Sequence, residues 1–291
     1  MDVCTFPRET VSFEQFARHP RPSIALDGYV YGPSRWDSAG HFNFNHHDDV
    51  DRFATRSTCE QVALALRASA PFELEESRVC VNDDDPDVSL SVWLLEHPEM
   101  VWDPAVISLC TMQGVIDTCG GATGQPSPGQ LAQLAWIIEP WASRTGNLRD
   151  RYEMEEIIKQ TGERITAFSN GRGEMLRNRW GYTTVARSGS IWAVVEDHPL
   201  ARAQVCADGA EIFVAIKDHE GHRTVSIGKA SPFVDCDLEV VWSHLNRLDQ
   251  SDGMDCWGGG DMIGGSPRLS GTGLDARAIL EVLSAVRETC T

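Results

Sequence analysis

Short apolar runs, each followed by a polar turn and then by the start of a helix, recur within residues 23–96 and leave few folds open. The run "HFNF" leads through two histidines to "STCEQV", where a Ser/Thr cap and Glu60 predict a helix start. The run 79–81 leads through an acidic turn with Pro86 to a second helical segment. This order of strand, turn and helix favours an α/β sheet, which binds ligands beyond the carboxyl ends of its strands.

We therefore predict an α/β fold with two domains. Residues 1–185 form an N-terminal α/β sheet domain with helices on both faces and a helical connector, and residues 186–291 form a smaller α+β domain. The connector is predicted from helical periodicity between residues 128 and 180. Beyond it, "SIWAVVEDH" and "HRTVSIGKA" are typical of strands, and "DARAILEVLSAVRET" predicts the last helix. We expect an active-site cleft between the two domains.

Charge and cysteine usage limit the class of partner. The net charge of −18 weighs against a grip on long nucleic acid, because phosphate contacts need clustered lysine and arginine. No apolar run approaches the ~20 residues that span a bilayer, and the N-terminal "MDVCTFPRET" lacks the pattern of a signal peptide. The nine cysteines show no C-x-x-C pair, which argues against structural zinc and a disulfide framework. We expect a cytoplasmic protein that binds no membrane and no long nucleic acid, but a small anionic substrate.

Two polar turns contain candidate metal ligands. His46 and His47 lie among turn-forming and acidic residues, so their imidazoles can contact a divalent cation or a phosphate, with a solvated loop as the alternative. In the acidic turn, some of Asp83, Asp85 and Asp87 can share a face near Mg2+ or Mn2+. The same acids are also favoured at the cap and first turn of a helix. Both interpretations of each turn stay open.

Asp117 is a third candidate, at the end of the apolar segment 105–116 and next to a glycine-rich stretch. If this segment ends at the sheet edge as the two strands do, three polar clusters meet there and Asp117 joins the metal ligands. Otherwise the Asp117 side chain caps the turn that follows.

The last third of the chain contains the glycine-rich segment "WGGGDMIGGSPRLSGTGL". The backbone N–H groups of Gly264 and Gly265, together with Ser266, Arg268 and Ser270, can hold an anion. The glycine spacing fits neither a P-loop nor a dinucleotide fingerprint. We expect phosphate binding here, with a flexible surface loop as the alternative.

Taken together, "NFNHHDD", "TRSTCEQV" and "MQGVIDTCGG" make the chain resemble the DHH phosphoesterase superfamily, which carries an Asp-His-His motif and a Gly-Ile-x-x-Asp-Thr-Gly-like motif. "GGSPRLSG" is similar to the Gly-Gly-His-Pro-x-Ala-Ala-Gly motif of the associated C-terminal domain. Asn45 stands at the Asp position of the first motif, and Ser266 at the His position of the last. The Asp-x-Asp motif that opens those proteins has its best counterpart in "NDDDPD", after the histidines, while Asp27 offers an earlier carboxylate.

The resemblance implies manganese (Mn2+, or Mg2+) and hydrolysis of a phosphoester or phosphoanhydride in a small phosphorylated substrate, such as a nucleotide or a short oligoribonucleotide. It implies His46 and His47 as catalytic residues, and a homodimer is compatible with it. The implied metal ligands are His46, Asp27, Asp83, Asp85 and Asp117. The implied substrate-binding residues are Gly264, Gly265, Ser266, Arg268 and Ser270.

Two other functions stay open at this point. Because Asn45 and Ser266 replace expected reactive residues, the chain can instead be a catalytically inactive ligand-binding or regulatory module of the same fold. A non-phosphate hydrolase or lyase would depend on Cys59, Cys110 or Cys119, although free cysteines are more often buried apolar residues.

Overall fold

The computed structural model describes residues 1–52, 54–119, 127–144, 150–176, 181–219, 222–251, 253 and 255–290. The chain divides into two compact units, the first of Met1–Asp117 and Pro128–Leu176, the second of Thr118–Ser127 and Arg177–Thr291. Both units combine helices with a β-sheet that has parallel and antiparallel neighbours, so the predicted α/β class is confirmed. The domain boundary after residue 185 and the cleft between the domains stay predictions.

The first unit is built around a five-stranded sheet. Its strands are β1 (Asp2–Thr5), β2 (Ser23–Leu26), β3 (Arg35–Trp36), β4 (His41–Phe44) and β5 (Arg78–Val81), in the spatial order β1-β5-β2-β4-β3. The first four strands of that order run parallel, while β3 pairs antiparallel with β4 at the edge. β2 and β4 are fully buried, as expected for strands that are covered on both faces. The carboxyl ends of β5, β2 and β4 therefore lie side by side.

Seven helices of the described residues surround this sheet. They are α1 (Phe13–Phe16), α2 (Thr58–Arg67), α3 (Pro86–Glu96), α4 (Pro104–Cys119), α5 (Pro128–Ile137), α6 (Glu139–Ala142) and α7 (Arg151–Ser169), with a 3-10 turn at Pro98–Trp102. α3 is buried along nearly its whole length and packs against α2 and α7. The helices predicted after residues 57 and 85 are confirmed. In the predicted helical connector, 128–180, the described helices are α5, α6 and α7, while residues 170–176 are not helical and 145–149 and 177–180 lie outside the described residues.

The third apolar segment is a helix, so the expectation that it ends at the sheet edge like a strand was wrong. Asp103 caps α4 by accepting hydrogen bonds from the N–H groups of Ala105 and Val106 at 2.8 and 3.1 Å, and Pro104 follows in the first turn. This Asp-Pro pair is the sequence signal of a helix start that the apolar run concealed. Asp117 consequently lies near the end of a helix and not after a strand.

The second unit contains a six-stranded sheet. Its strands are β6 (Tyr182–Ser188), β7 (Ile191–Glu196), β8 (Ile212–His219), β9 (His222–Lys229), β10 (Gly258–Gly259) and β11 (Ile263–Gly265), in the order β10-β11-β9-β8-β7-β6. β7 and β8 run parallel and are joined by α8 (Ala201–Ala207), and the other neighbours are antiparallel. The helices α9 (Leu238–Asp249) and α10 (Ala276–Cys290) share a hydrophobic core with the sheet, in which Val241 and Leu283 are fully buried. The strands predicted at residues 191–196 and 222–229 and the last helix are confirmed.

Within the described residues, no helix has the length and hydropathy needed to cross a membrane. The described cysteines form no disulfide.

Candidate metal centre at the carboxyl edge of the first sheet

Aspartate and histidine side chains from four elements meet at the carboxyl edge of the first sheet. Asp27 follows β2, His46 and His47 follow β4, and Asp87 lies in the first turn of α3, after β5. Asp117 comes from the end of α4. These residues form two groups, Asp27-His46-His47 and His46-Asp87-Asp117, and the candidate ligand atoms within each group lie within 4.8 Å of one another. His46 belongs to both groups and is therefore their centre.

The His46 imidazole is fully buried and faces three carboxylates. Its Nε2 lies 2.8 Å from Asp117 Oδ2, 3.2 Å from Asp27 Oδ1 and 3.6 Å from Asp87 Oδ2. None of these contacts has hydrogen-bond geometry: both His46 nitrogens and Asp117 Oδ2 are buried without a hydrogen-bond partner. Buried polar atoms are almost always hydrogen-bonded, so the approach of His46 Nε2 and Asp117 Oδ2 without such a bond, beside oxygens of Asp27 and Asp87, fits a shared cation.

The charges of these side chains depend strongly on one another. Burial raises the pKa of Asp27, but the charge of His47 and the close contacts of both imidazoles outweigh it and hold the pKa well below its usual value. Burial raises the pKa of Asp87, and the neighbouring Cys59 and carboxylates raise it further. Burial lowers the pKa of His46, yet the carboxylates of Asp117 and Asp27 dominate and raise it to about 10. The carboxylates thus draw positive charge into the centre, which a proton on His46 supplies in the absence of a cation.

The N-terminus of α2 fixes two of the carboxylates. The backbone N–H groups of Thr58 and Cys59 donate to the two oxygens of Asp87 at 2.7 and 2.8 Å, and the Thr58 hydroxyl donates to Asp27 Oδ1 at 2.8 Å. Ser57, the N-cap residue, makes no side-chain cap bond of its own. Asp87 therefore satisfies two amides that would otherwise be unpaired, at the end of the helix where negative charge is favoured.

His47 lies on the exposed side of the centre. Its Nε2 is 3.0 Å from Asp27 Oδ1, and 34% of its side chain is exposed, compared with 2% for Asp27. Asp27 adopts a left-handed backbone conformation with φ of 55° and is followed by Gly28 with φ of 89°. This conformation is uncommon outside glycine and occurs often at functional sites. The turn brings the Asp27 carboxylate back towards both histidines.

Asn45 organises the turn that contains the two histidines. Its fully buried amide donates to the carbonyl of Gly32 at 3.0 Å and to Asp48 Oδ2 at 2.8 Å, and its Oδ1 accepts from the His47 N–H at 2.9 Å. A carboxylate at this position could not donate these bonds. The Asn45 side chain is thus engaged in hydrogen bonds within the turn.

The structure does not bring the predicted ligands Asp83 and Asp85 into either group. Asp85 is the N-cap of α3 and accepts from the Val88 N–H at 2.8 Å, while Asp83 pairs with Arg8 at 3.0 Å. The helical start interpretation explains both, because residues two apart share a face in a strand but not in a helix. Asp87 is the acid of this turn that reaches the centre. Its position directly after Pro86, in the first helical turn, was the available sequence signal.

The glycine-rich segment of the second unit is part of a sheet at Gly264 and Gly265, and anion binding by these two residues stays a prediction. Both residues lie in β11, between β9 and β10. A Cβ on Gly264 would lie 2.4 Å from the Gly258 carbonyl oxygen and 2.6 Å from the Trp242 ring. Close packing between strands and α9 therefore explains this glycine.

The hydroxyl-bearing residues after β11 are also engaged in the fold. Ser266 is buried, and its Oγ accepts from the Val225 N–H at 3.0 Å. Ser270 donates its N–H to Asp255 Oδ2 at 2.8 Å. Arg268 and Ser270 are exposed, and their role in substrate binding stays a prediction.

No protein-family model matches this chain, and a search of curated proteins finds no significant match.

Proposed function

We propose that this protein is a divalent-metal-dependent hydrolase of a phosphoester or phosphoanhydride bond in a small phosphorylated substrate. The observation that carries the proposal is the convergence of His46 Nε2 with carboxylates of Asp27, Asp87 and Asp117. This donor set lies where open α/β sheets bind their ligands, beyond the carboxyl ends of parallel strands.

The donor types favour Mn2+, with Mg2+ as the second choice. Mg2+ prefers oxygen ligands in near-ideal octahedral geometry, whereas His46 supplies an imidazole nitrogen. His46, Asp27, Asp87 and Asp117 would hold the ion, and His47 would complete the set or contact the substrate. Cations of this class lower the pKa of water and stabilise negative charge on phosphoryl oxygens.

The residues of the chain would orient the substrate and control its charge. Asp27, held by Thr58, keeps the partly exposed His47 directed towards the centre, where its imidazole can contact a non-bridging phosphoryl oxygen. The amides of α2 hold Asp87 in place without a change of position during the reaction. The net charge of −18 favours small substrates, because long polyanions would be repelled. We place this activity in the cytoplasm, where unpaired thiols are stable.

The placement of the motif residues supports a divergent relationship to the DHH phosphoesterase superfamily. His46, His47 and Asp117 come from the two motifs that define the resemblance, and they lie at one edge of one sheet. Asp87, from the acidic turn that occurs out of order in the sequence, joins them there. A member of the superfamily with a different order of motifs in its sequence would still bring the motif residues together at one metal centre.

A ligand-binding module without catalysis is the second candidate. It is favoured by Asn45, whose amide is bound in the turn and offers no carboxylate where the resembled family has one. Such a module would still bind a metal or phosphate, but would release it unchanged.

The proposal is tested by metal content and turnover of the same preparation. Elemental analysis would follow loading with Mn2+ or Mg2+, and p-nitrophenyl phosphate, bis(p-nitrophenyl) phosphate and pyrophosphate would be assayed with each metal and with none. We expect bound Mn2+ and metal-dependent turnover in the wild type, and loss of both in His46→Ala. Asp83→Asn is the matched control, because Asp83 lies in the acidic turn but outside the ligand groups. Bound metal without turnover of any substrate would favour the binding module, and absence of both would contradict the proposal.

A further inference from the structure

Arg52 is a buried arginine whose guanidinium makes one long hydrogen bond. It follows the two histidines in the chain, and 9% of its surface is exposed. Its Nη2 donates to the backbone carbonyl of Asp117 at 3.4 Å, which is longer than most such bonds. Its Nε is buried with no hydrogen-bond partner, and within the described residues of the first unit no carboxylate forms an ion pair with it.

Another arginine with little exposure, Arg202, has a carboxylate partner. Arg202 forms a two-pronged contact with the buried Glu196, at 2.9 and 2.7 Å. A buried charge is strongly unfavourable unless an opposite charge and hydrogen bonds compensate it. The stretches 53, 120–126 and 145–149, which the structure does not describe, contain neither aspartate nor glutamate. An anion from outside the first unit would therefore compensate the charge of Arg52.

The position of Arg52 indicates which anion this is. Its guanidinium contacts the carbonyl of Asp117, and the carboxylate of that same residue lies 2.8 Å from His46 Nε2. An anion on Arg52 would thus lie beside the centre. Guanidinium groups bind two oxygens of a phosphate in a planar, two-pronged arrangement.

We propose that Arg52 binds two free oxygens of the phosphoryl group on which the centre acts, an inference that depends on the proposed function. A terminal phosphate has three free oxygens, two for Arg52 and one for the centre, whereas a phosphodiester has two in all. The substrate class is therefore a phosphomonoester or the terminal phosphate of an anhydride, and Arg52 is the residue that selects it.

Calorimetric titration with inorganic phosphate tests this assignment. Wild type and Arg52→Gln are titrated with Mn2+ present and again after EDTA treatment, and the Mn2+ affinity and melting temperature of each are measured separately. A charged hydrogen-bonded contact predicts about 10- to 100-fold weaker phosphate binding in Arg52→Gln, with Mn2+ affinity and melting temperature unchanged. Arg56→Gln is the matched control, since Arg56 is exposed in the same segment and should bind phosphate like the wild type.

Two further arms separate ligand binding from a structural role. Arg52→Lys keeps the charge but not the two-pronged geometry, so its phosphate affinity should lie between those of wild type and Arg52→Gln. Dimethyl phosphate, a diester with two free oxygens, should show a smaller difference between wild type and Arg52→Gln than phosphate does. An equal difference would overturn the assignment of a terminal phosphate.

Equal phosphate affinities of wild type and Arg52→Gln would overturn the inference. The inference would also be overturned if Arg52 variants bound Mn2+ more weakly and melted at a lower temperature while their phosphate affinity was unchanged. Arg52 would then only hold the end of α4. Failure of the proposed function would give a different result from failure of the Arg52 inference, because the wild type would then bind no Mn2+. A difference in phosphate affinity that depends on Arg52 and persists after EDTA would then support the anion site alone.

Discussion

The polar cluster around His46 in the first unit and the one around Ser266 in the second unit differ in whether their buried atoms have hydrogen-bond partners. At the edge of the first sheet, His46 and Asp117 present buried atoms without hydrogen-bond partners, within 2.8 Å of each other. In the second unit, Ser266 is paired with the Val225 backbone, and Gly264 lies within the sheet. Unpaired atoms that converge are prepared for a ligand, whereas paired atoms serve the fold. The difference supports our proposal that the first cluster binds a ligand, and it shows that Gly264 and Ser266 contribute to packing and hydrogen bonding within the second unit.

The largest effect is expected from Asp117→Asn, which tests the unpaired cluster. Removal of one carboxylate charge from a metal centre should lose several kcal/mol of stabilisation, or roughly 1,000-fold in turnover. The rate of metal-dependent hydrolysis measures this directly. Asp83→Asn should keep nearly full activity, and an equal loss in both variants would contradict the assignment of the metal to the group that contains Asp117 and not Asp83.

Metal addition should stabilise the first unit through the same atoms. At Mn2+ concentrations near 100 times the dissociation constant, linkage predicts a gain of about 2.7 kcal/mol in unfolding free energy. Thermal unfolding with Mn2+ and with EDTA would show this gain in the wild type. His46→Ala should show none, and the same gain in that variant would place the ion elsewhere.

The packed cluster is tested by Gly264→Ala. Its Cβ would collide with the Gly258 carbonyl and the Trp242 ring, so we expect a loss of about 1–3 kcal/mol in unfolding free energy. Gly258→Ala is the control, because nothing lies within 4 Å of its added Cβ. Chemical denaturation compares the two. Reduced substrate affinity with unchanged stability in Gly264→Ala would restore the anion-binding interpretation.

The smallest effect is expected from Ser266→Ala. Loss of the bond from the Val225 N–H should lower the unfolding free energy by about 1 kcal/mol. The KM for a phosphorylated substrate should not change. A raised KM without a change in stability would mean that the hydroxyl contacts substrate.

The sequence predicted the carboxyl edge of the first sheet well because its signals are local. Apolar runs before Asp27 and His46 are strands, and each is followed by a polar turn at the same edge. The choice of Asp87 over Asp85 depends on helical geometry after Pro86, which alternation along a strand does not describe.

The glycine segment could not be interpreted from its own residues. Position 264 has no room for a Cβ, because the Trp242 ring and the Gly258 carbonyl lie against it. Trp242 is on α9, more than twenty residues earlier in the chain, and Gly258 is on the neighbouring strand. Phosphate-binding loops and tightly packed strands both require glycine, so composition does not separate them. Contacts between distant elements do.

The central claim is that His46, Asp27, Asp87 and Asp117 form a cation site. A crystal grown with Mn2+ and measured at the manganese absorption edge tests it most directly. We predict an anomalous peak within coordination distance of His46 Nε2 and at least two of the three carboxylates. A well-ordered His46 in contact with the carboxylates, with no anomalous peak beside it at saturating Mn2+, would contradict the account.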